Sequence, residues 1–419
     1  MTSKDRIKTV CDHREADRLA VDFGGGFQTG IHVSLVYKLR QALGLDAPGT
    51  PVKVVETYQM LGEVAPDLGE ALGVDTISLH GTGTMFGFPA ENFKSWSLHD
   101  GTPVLVPDGF NTDYQPNGEL FQYPENNRTV GPCAKMPKDG NFFDAIMRQP
   151  VLDEDALNPE DNLEEFGPIP DQELEIYKDR VQILHQQSEC ALFCTYGGLT
   201  FGDVALVPAP FLKEPKGIRD IEEWYVSLIM RPDYIKAVFE KQAEIAIENL
   251  SRLYASVGDK ISVIQTNGTD FGTQNGPFCS QDSYRELFLP YQKMVNGWIH
   301  KHTNWKTFMH CCGSIVPLLD LIVEAEFDIL NPVQCSAAGM EPEMLKKCYG
   351  DKLTFWGGGV DTQQTLPFGT PEQVRDEVRA RIETFSQGGG FVFSTIHNVQ
   401  ALTPIENLIA LFETVKEYR

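Results

Sequence analysis

No stretch of about 18 consecutive apolar residues occurs in the 419-residue chain, so no membrane-spanning helix is expected. The first residues, Met1-Thr-Ser-Lys-Asp-Arg-Ile-Lys8, lack the apolar run of a secretory leader, and the expected location is the cytoplasm. Basic residues are scarce: 35 Lys+Arg stand against 59 Asp+Glu, a formal charge of −24. No dense Lys/Arg run breaks that field, so neither nucleic acid nor an anionic membrane surface is an expected partner. The nine cysteines are odd in number and scattered, which excludes a secreted disulfide framework and leaves buried thiols or metal ligands. Low-complexity tracts are absent too. What remains, 42% hydrophobic and 10% aromatic residues, is the composition of a folded acidic protein with a large core.

Short β-rich runs alternate with helix-period segments from residue 260 onward. The runs are 260–266, 305–309, 327–331, 352–356 and 391–395. Before the last helix but one, Thr370-Pro371-Glu372-Gln373 reads as an N-cap, a first-turn proline and a capping-box glutamine, and Val374, Val378, Ile382 and Phe385 form the buried stripe. Thr403-Pro404-Ile405-Glu406 repeats the signature. Three further strands are expected at 191–195, 74–79 and 19–23. Eight strand-helix units predict an α/β fold, a (β/α)8 TIM barrel occupying 1–419 as one domain. A β-rich insertion between early strands is expected at about 85–180, where 102–109 and 118–123 alternate like hairpin strands. A doubly wound nucleotide fold is disfavoured, because Gly24-Gly25-Gly26 does not match G-x-G-x-x-G.

Barrel sites form at the C-terminal ends of strands. Reading just past each strand gives Asp270, His310 with Cys312, Gln334 with Cys335, Asp361, and His397. In His310-Cys311-Cys312 two strong donors lie two positions apart, on one side of an extended segment, so one zinc ion can take both. Cys335 and His397 are the expected further ligands. Asp270 and Asp361 are candidate acid/base residues, with helix or loop capping as the alternative for each.

The segments Thr269-Asp270-Phe-Gly-Thr-Gln, His310-Cys-Cys-Gly-Ser-Ile, Asn331-Pro-Val-Gln, Trp356-Gly-Gly-Gly-Val-Asp-Thr-Gln, His397-Asn-Val-Gln and Pro404-Ile-Glu-Asn together resemble the uroporphyrinogen decarboxylase superfamily. That resemblance implies a barrel and one of two activities. In the decarboxylase branch no metal is used, an Asp binds the pyrrole nitrogens, and N-terminal arginines hold the substrate carboxylates. Asp75 stands at the Asp position as a substrate-binding candidate, but the loop Phe23-Gly-Gly-Gly-Phe-Gln-Thr-Gly30 has no arginine clamp. In the other branch, corrinoid-dependent methyltransferases, His310 and Cys312 match two zinc ligands and His397 takes the place of the third, a Cys. The resemblance then implies methyl transfer between a small substrate (methyl ether, amine, thiol or folate) and the cobalt of a corrinoid (cobalamin) carried by a separate protein that docks transiently. Gln334 is the expected substrate-side neighbour of Cys335. A decarboxylase-like lyase is the alternative.

Overall fold

The computed structural model describes residues 1–149 and 151–419. Eight parallel strands form one sheet: β1 (Ala20–Val21), β2 (Thr76–His80), β3 (Ala191–Thr195), β4 (Val263–Asn267), β5 (Lys306–His310), β6 (Ile329–Asn331), β7 (Thr354–Trp356) and β8 (Phe391–Phe393). From β2 to β8 each strand pairs with the next, and β1 returns to β8 with Ala20 opposite Val392. A single backbone bond, Asp75 N–H to Val21 O, spans the seam between β1 and β2, so the barrel is nearly closed. All eight expected strands are present.

Phe193, Phe308 and Trp356 fill the interior with edge-to-face contacts. Trp356 Nε1–H donates to the buried Asp22 carboxylate at 2.7 Å, which also receives Gly25 N–H and the Thr76 hydroxyl. Helix Ser3–Cys11 closes the N-terminal end by packing Ile7, Val10 and Cys11 against Ala20, Ala191 and Val263. Helix Pro371–Phe385 has the expected capping box and buries all four stripe residues. The repeat of that signature does not hold. In helix Ile405–Lys416 the N-cap is Pro404 itself, because the Thr403 hydroxyl turns back to Gln400 O.

The extra β-structure forms two four-stranded sheets, and its boundaries differ from those expected. One sheet joins 52–56 and 61–62, which precede β2, to 94–97 and 103–106. The other contains 113–114, 120–122, 134–136 and 144–145. The runs at 102–109 and 118–123 therefore belong to different sheets and are not each other's hairpin partners. Helix Asp171–Gln187, inside the expected insertion, is the barrel's own crossover into β3. Phe143 N–H donates to Tyr58 O and His32 Nε2 lies 2.9 Å from Asn141 O, which seats this material beside the β1 end of the mouth. Among the described residues no helix is long and apolar enough to cross a membrane.

Candidate metal centre at the barrel mouth

The His-x-Cys pair leaves the end of β5 as the extended spacing predicts. His310 is its last residue, and Cys312 Sγ sits 3.5 Å from His310 Nε2. His397 arrives from the turn after β8, its ring centroid 5.6 Å from that of His310. One donor atom from each of His310, Cys312 and His397 lies within 4.8 Å of the others, close enough to hold a metal ion. Bonds of about 2.3 Å to sulfur and 2.05 Å to nitrogen at a tetrahedral angle put the two donors roughly 3.6 Å apart. The His310–Cys312 pair already has that spacing, and three protein donors leave a fourth position open.

Neighbouring amides fix which nitrogen each ring offers. Asn331 Nδ2 donates to Trp356 O at 2.8 Å, which leaves Asn331 Oδ1 to accept from His310 Nδ1–H at 2.7 Å. Asn398 Nδ2 donates to Gln59 Oε1, so its Oδ1 accepts from His397 Nδ1–H at 2.5 Å and from Gln400 Nε2. Both rings thus carry their unprotonated lone pair on Nε2, which in His310 faces the Cys312 thiol, the arrangement that outer hydrogen bonds impose on metal-binding histidines. Burial holds the His397 imidazole down to about 4, reinforced by the neighbouring His310 ring, so it stays neutral and able to coordinate at physiological pH. Burial and the Asp270 charge push the Cys312 thiol up. A bound cation would reverse that by stabilising the thiolate.

Asp270 is at the site: its Oδ1 accepts from Cys312 N–H at 2.6 Å, so it orients the cysteine loop. Gln334 is there too, its Oε1 accepting from Gly313 N–H at 2.7 Å. Gly313 has φ +87°, and a Cβ on it would approach the backbone of Gly272 to 2.4 Å, so this close crossing of two loops requires glycine.

Three expected residues are elsewhere. Cys335 and Gln334 do point to opposite faces, but Cys335 takes the outer one: its thiol donates to Val333 O, and the charges acting on it are Arg381, Glu377 and Glu343. It is not part of the donor cluster. Asp361 Oδ1 accepts from Gln363 and Gln364 N–H, a local capping turn, so the capping alternative describes it. Asp75 precedes β2, which puts it at the closed end of the barrel. There it is fully buried between Arg6 and Arg18 and accepts Val21 N–H, away from any substrate at the mouth.

In the sequence Asn331 and Asn398 stand only as members of the family-like segments, with no role assigned to them, to Gln59, or to Asp203 in the loop after β3; the two asparagines orient the histidines, and Gln59 holds Asn398. Asn331 ends its strand as the first residue of the Asn331-Pro-Val-Gln segment, a legible signal. Asp203 lies eight positions past β3, beyond the reach of a strand-end rule.

The uroporphyrinogen decarboxylase (URO-D) family profile matches residues 144–418. The methylated-thiol–coenzyme M methyltransferase of Methanosarcina mazei is 25% identical over 283 residues, 66% of this chain and 67% of that protein. The uroporphyrinogen decarboxylase of Dechloromonas aromatica is 21% identical over 217 residues, 50% of this chain and 56% of the relative, so the chain spans little more than half of that decarboxylase. Among solved structures, a methyltransferase from Methanosarcina mazei aligns over 100% of this chain and 99% of its own, with a TM-score of 0.55 and 15% identity, a likeness of fold.

Proposed function

The chain belongs to the URO-D family, and from that premise we propose that it is a methyltransferase moving a methyl group between a small substrate and the cobalt of a separate corrinoid protein, with zinc at His310, Cys312 and His397. The observation that carries the reading is the convergence of two Nε2 lone pairs and one thiol at the mouth, with each imidazole held by an amide acceptor. A metal-free decarboxylase has no use for that donor set. The glycine-rich loop after β1 supports the same choice: Gln28 Nε2 donates to Gln265 Oε1 there, and the loop offers no cation to an anionic tetrapyrrole. The methylated-thiol specificity of the Methanosarcina mazei relative makes thioethers and thiols the first substrates to try.

Zinc, when bound, supplies a Lewis-acid position for a substrate sulfur or oxygen in its anionic form. The chain's own residues do the rest. Asn331 and Asn398 hold the two rings in register, Asp270 fixes the Cys312 backbone, and Gln334 pins the Cys312–Gly313 turn. Gln334 Nε2 makes no hydrogen bond among the described residues and is free to meet a substrate acceptor. The expected corrinoid partner docks transiently, with an interface under about 1,200 Å2.

Zinc content and methyl-cobalt absorbance test the reading together. Zinc-loaded protein should hold one metal per chain, lost in Cys312→Ser. It should form or consume methylcobalamin, or the methylated corrinoid protein, with a panel of methyl thioethers, ethers and amines. Carbon dioxide release from a tetrapyrrole acid, without metal and without cobalt change, would refute it.

A further inference from the structure

The donor cluster leaves one piece of chemistry unassigned, namely where a proton goes when a thiol gives it up or a departing heteroatom takes it back. Two carboxylates stand beside the cluster. Asp270 is committed: its Oδ1 accepts Cys312 N–H, and its charge acts on the Cys312 thiol and on His397. Asp203 is not. Its Oδ1 accepts Ala205 N–H at 3.0 Å, while its Oδ2 makes no hydrogen bond among the described residues. That Oδ2 packs against Gly268, where a Cβ would come within 2.4 Å of it, two residues before Asp270 on the same loop. Thr269 Oγ1–H donates to Phe201 O at 2.6 Å and fastens the two loops together.

A second feature faces Asp203 from behind. It lines a cavity of about 30 Å3 together with Thr200, Asn162, Gln242 and the Glu165–Arg219 ion pair. The Thr200 hydroxyl oxygen is buried and has no hydrogen-bond partner among the described residues. The space is lined largely by apolar side chains such as Trp224 and Phe239, and Thr200 and Asp203 are polar groups at its wall that one water molecule could join. The charged and titratable groups around Asp203 are thus Asp270, Tyr225 and Cys312 on the mouth side and Glu165 paired with Arg219 across the cavity.

We propose that Asp203 is the proton-holding residue of the site, passing a proton between the substrate heteroatom at the mouth and the cavity lined by Thr200. This rests on the methyltransferase reading and deepens it. With a thiol acceptor, the S–H bond breaks, its electron pair stays on sulfur as thiolate, and the proton forms an O–H bond on the Asp203 carboxylate. With a methyl ether or thioether donor the methyl group goes, without the C–S or C–O electron pair, to the reduced cobalt of the corrinoid partner, that pair stays on the departing sulfur or oxygen, and the proton from Asp203 forms the S–H or O–H bond there. No electrons are exchanged with the protein in either direction. Burial, with the Asp270 charge opposite, pushes the Asp203 carboxyl up to about 7, where it can take a proton and release it near neutral pH.

Two measurements test this, using Asp203→Asn, which keeps the acceptor for Ala205 N–H and so the fold, and Asp203→Glu as the conservative variant. The first is infrared difference spectroscopy on metal-free protein at pH 6. A protonated-carboxyl band present in the wild type should vanish in Asp203→Asn and return, shifted, in Asp203→Glu. The second is calorimetry of 2-mercaptoethanol binding to zinc-loaded protein at pH 8 in two buffers of different ionisation enthalpy. Because a carboxyl that titrates at about 7 keeps only part of a proton at pH 8, the wild type should release measurably fewer protons per thiol than Asp203→Asn, whose release should be close to one. The same band in wild type and Asp203→Asn, or equal proton release from both, would overturn the proposal. Failure of all variants to take up zinc would remove the methyltransferase reading instead, and the infrared result would then decide on Asp203 by itself.

Discussion

Replacing Asn331 by alanine separates the metal-orienting network from the metal ligands themselves. The substitution removes the acceptor for His310 Nδ1–H and the donor to Trp356 O, both in a side chain with no solvent exposure. Loss of an outer hydrogen bond to a metal-bound histidine costs about 10–100-fold in metal affinity, or about 1.4–2.7 kcal/mol. The fold pays separately: two buried hydrogen bonds at roughly 1 kcal/mol each, plus a small cavity, suggest about 2–4 kcal/mol. The two effects are measured apart, zinc affinity by competition with a chromophoric chelator at pH 7.5 and stability by urea unfolding of the metal-free protein. Cys312→Ser is the positive control, and Cys335→Ala, on the opposite face, should leave affinity within about twofold. If Asn331→Ala binds zinc as tightly as the wild type while Cys312→Ser does not, His310 is not oriented by Asn331. If Cys335→Ala weakens binding as much as Cys312→Ser, the donor set proposed here is wrong.

Three further outcomes are expected. Glu56 accepts Tyr58 and Gln59 N–H while buried, and burial raises its carboxyl from 4.5 to about 7. The folded state therefore holds more protons than the unfolded one between those pH values, and stability falls by roughly 3 kcal/mol as pH rises through that window. Glu56→Gln should flatten this part of the urea-midpoint curve, and an unchanged curve would exclude Glu56 as its cause. Asp361→Ala should lower stability by about 1 kcal/mol through the lost cap with zinc content unaltered, whereas a loss of zinc would return Asp361 to the site. Asp75→Asn leaves Arg6 and Arg18 partly unpaired at the closed end and should cost about 3–5 kcal/mol in urea unfolding, with zinc per folded chain unchanged; a stability near wild type would show that the pairs contribute nothing.

The barrel was legible because each strand is a short apolar run fenced by helix signals, and Pro371–Phe385 carries cap, proline and stripe together. Where only part of such a signal was present the reading failed: at Thr403 the hydroxyl found a backbone acceptor closer than the helix it was expected to cap. The site divided along the same line. His310 and Cys312 lie on one extended segment, so their spacing alone placed them together. A thiol such as Cys335 is a stronger zinc ligand than the neighbouring Gln334 amide, but ligand strength says nothing about which face a residue occupies. Asp75 was assigned by position in a family pattern, yet it enters its strand instead of leaving it, and two arginines far away in sequence claim it. The pairing of 52–56 with 103–106 across the whole of β2 is invisible to local patterns, since nothing in either run names its partner.

The pairing of β1 with β8 also bears on the order of events during folding. Ala20 and Val392 come from opposite ends of the described chain, and closing so large a loop is among the slowest steps a chain of this topology takes. His397 lies just past β8, and Gln59, which holds the Asn398 amide, lies between β1 and β2. The donors themselves sit at the ends of β5 and β8, but the Asn398 amide that orients His397 is held by Gln59 only once the ring has closed, so the fully oriented cluster belongs to the closed barrel. Full-affinity metal uptake during refolding should lag behind the gain of helix and coincide with the final closure, which makes tight zinc capture a clock for the last stage of folding.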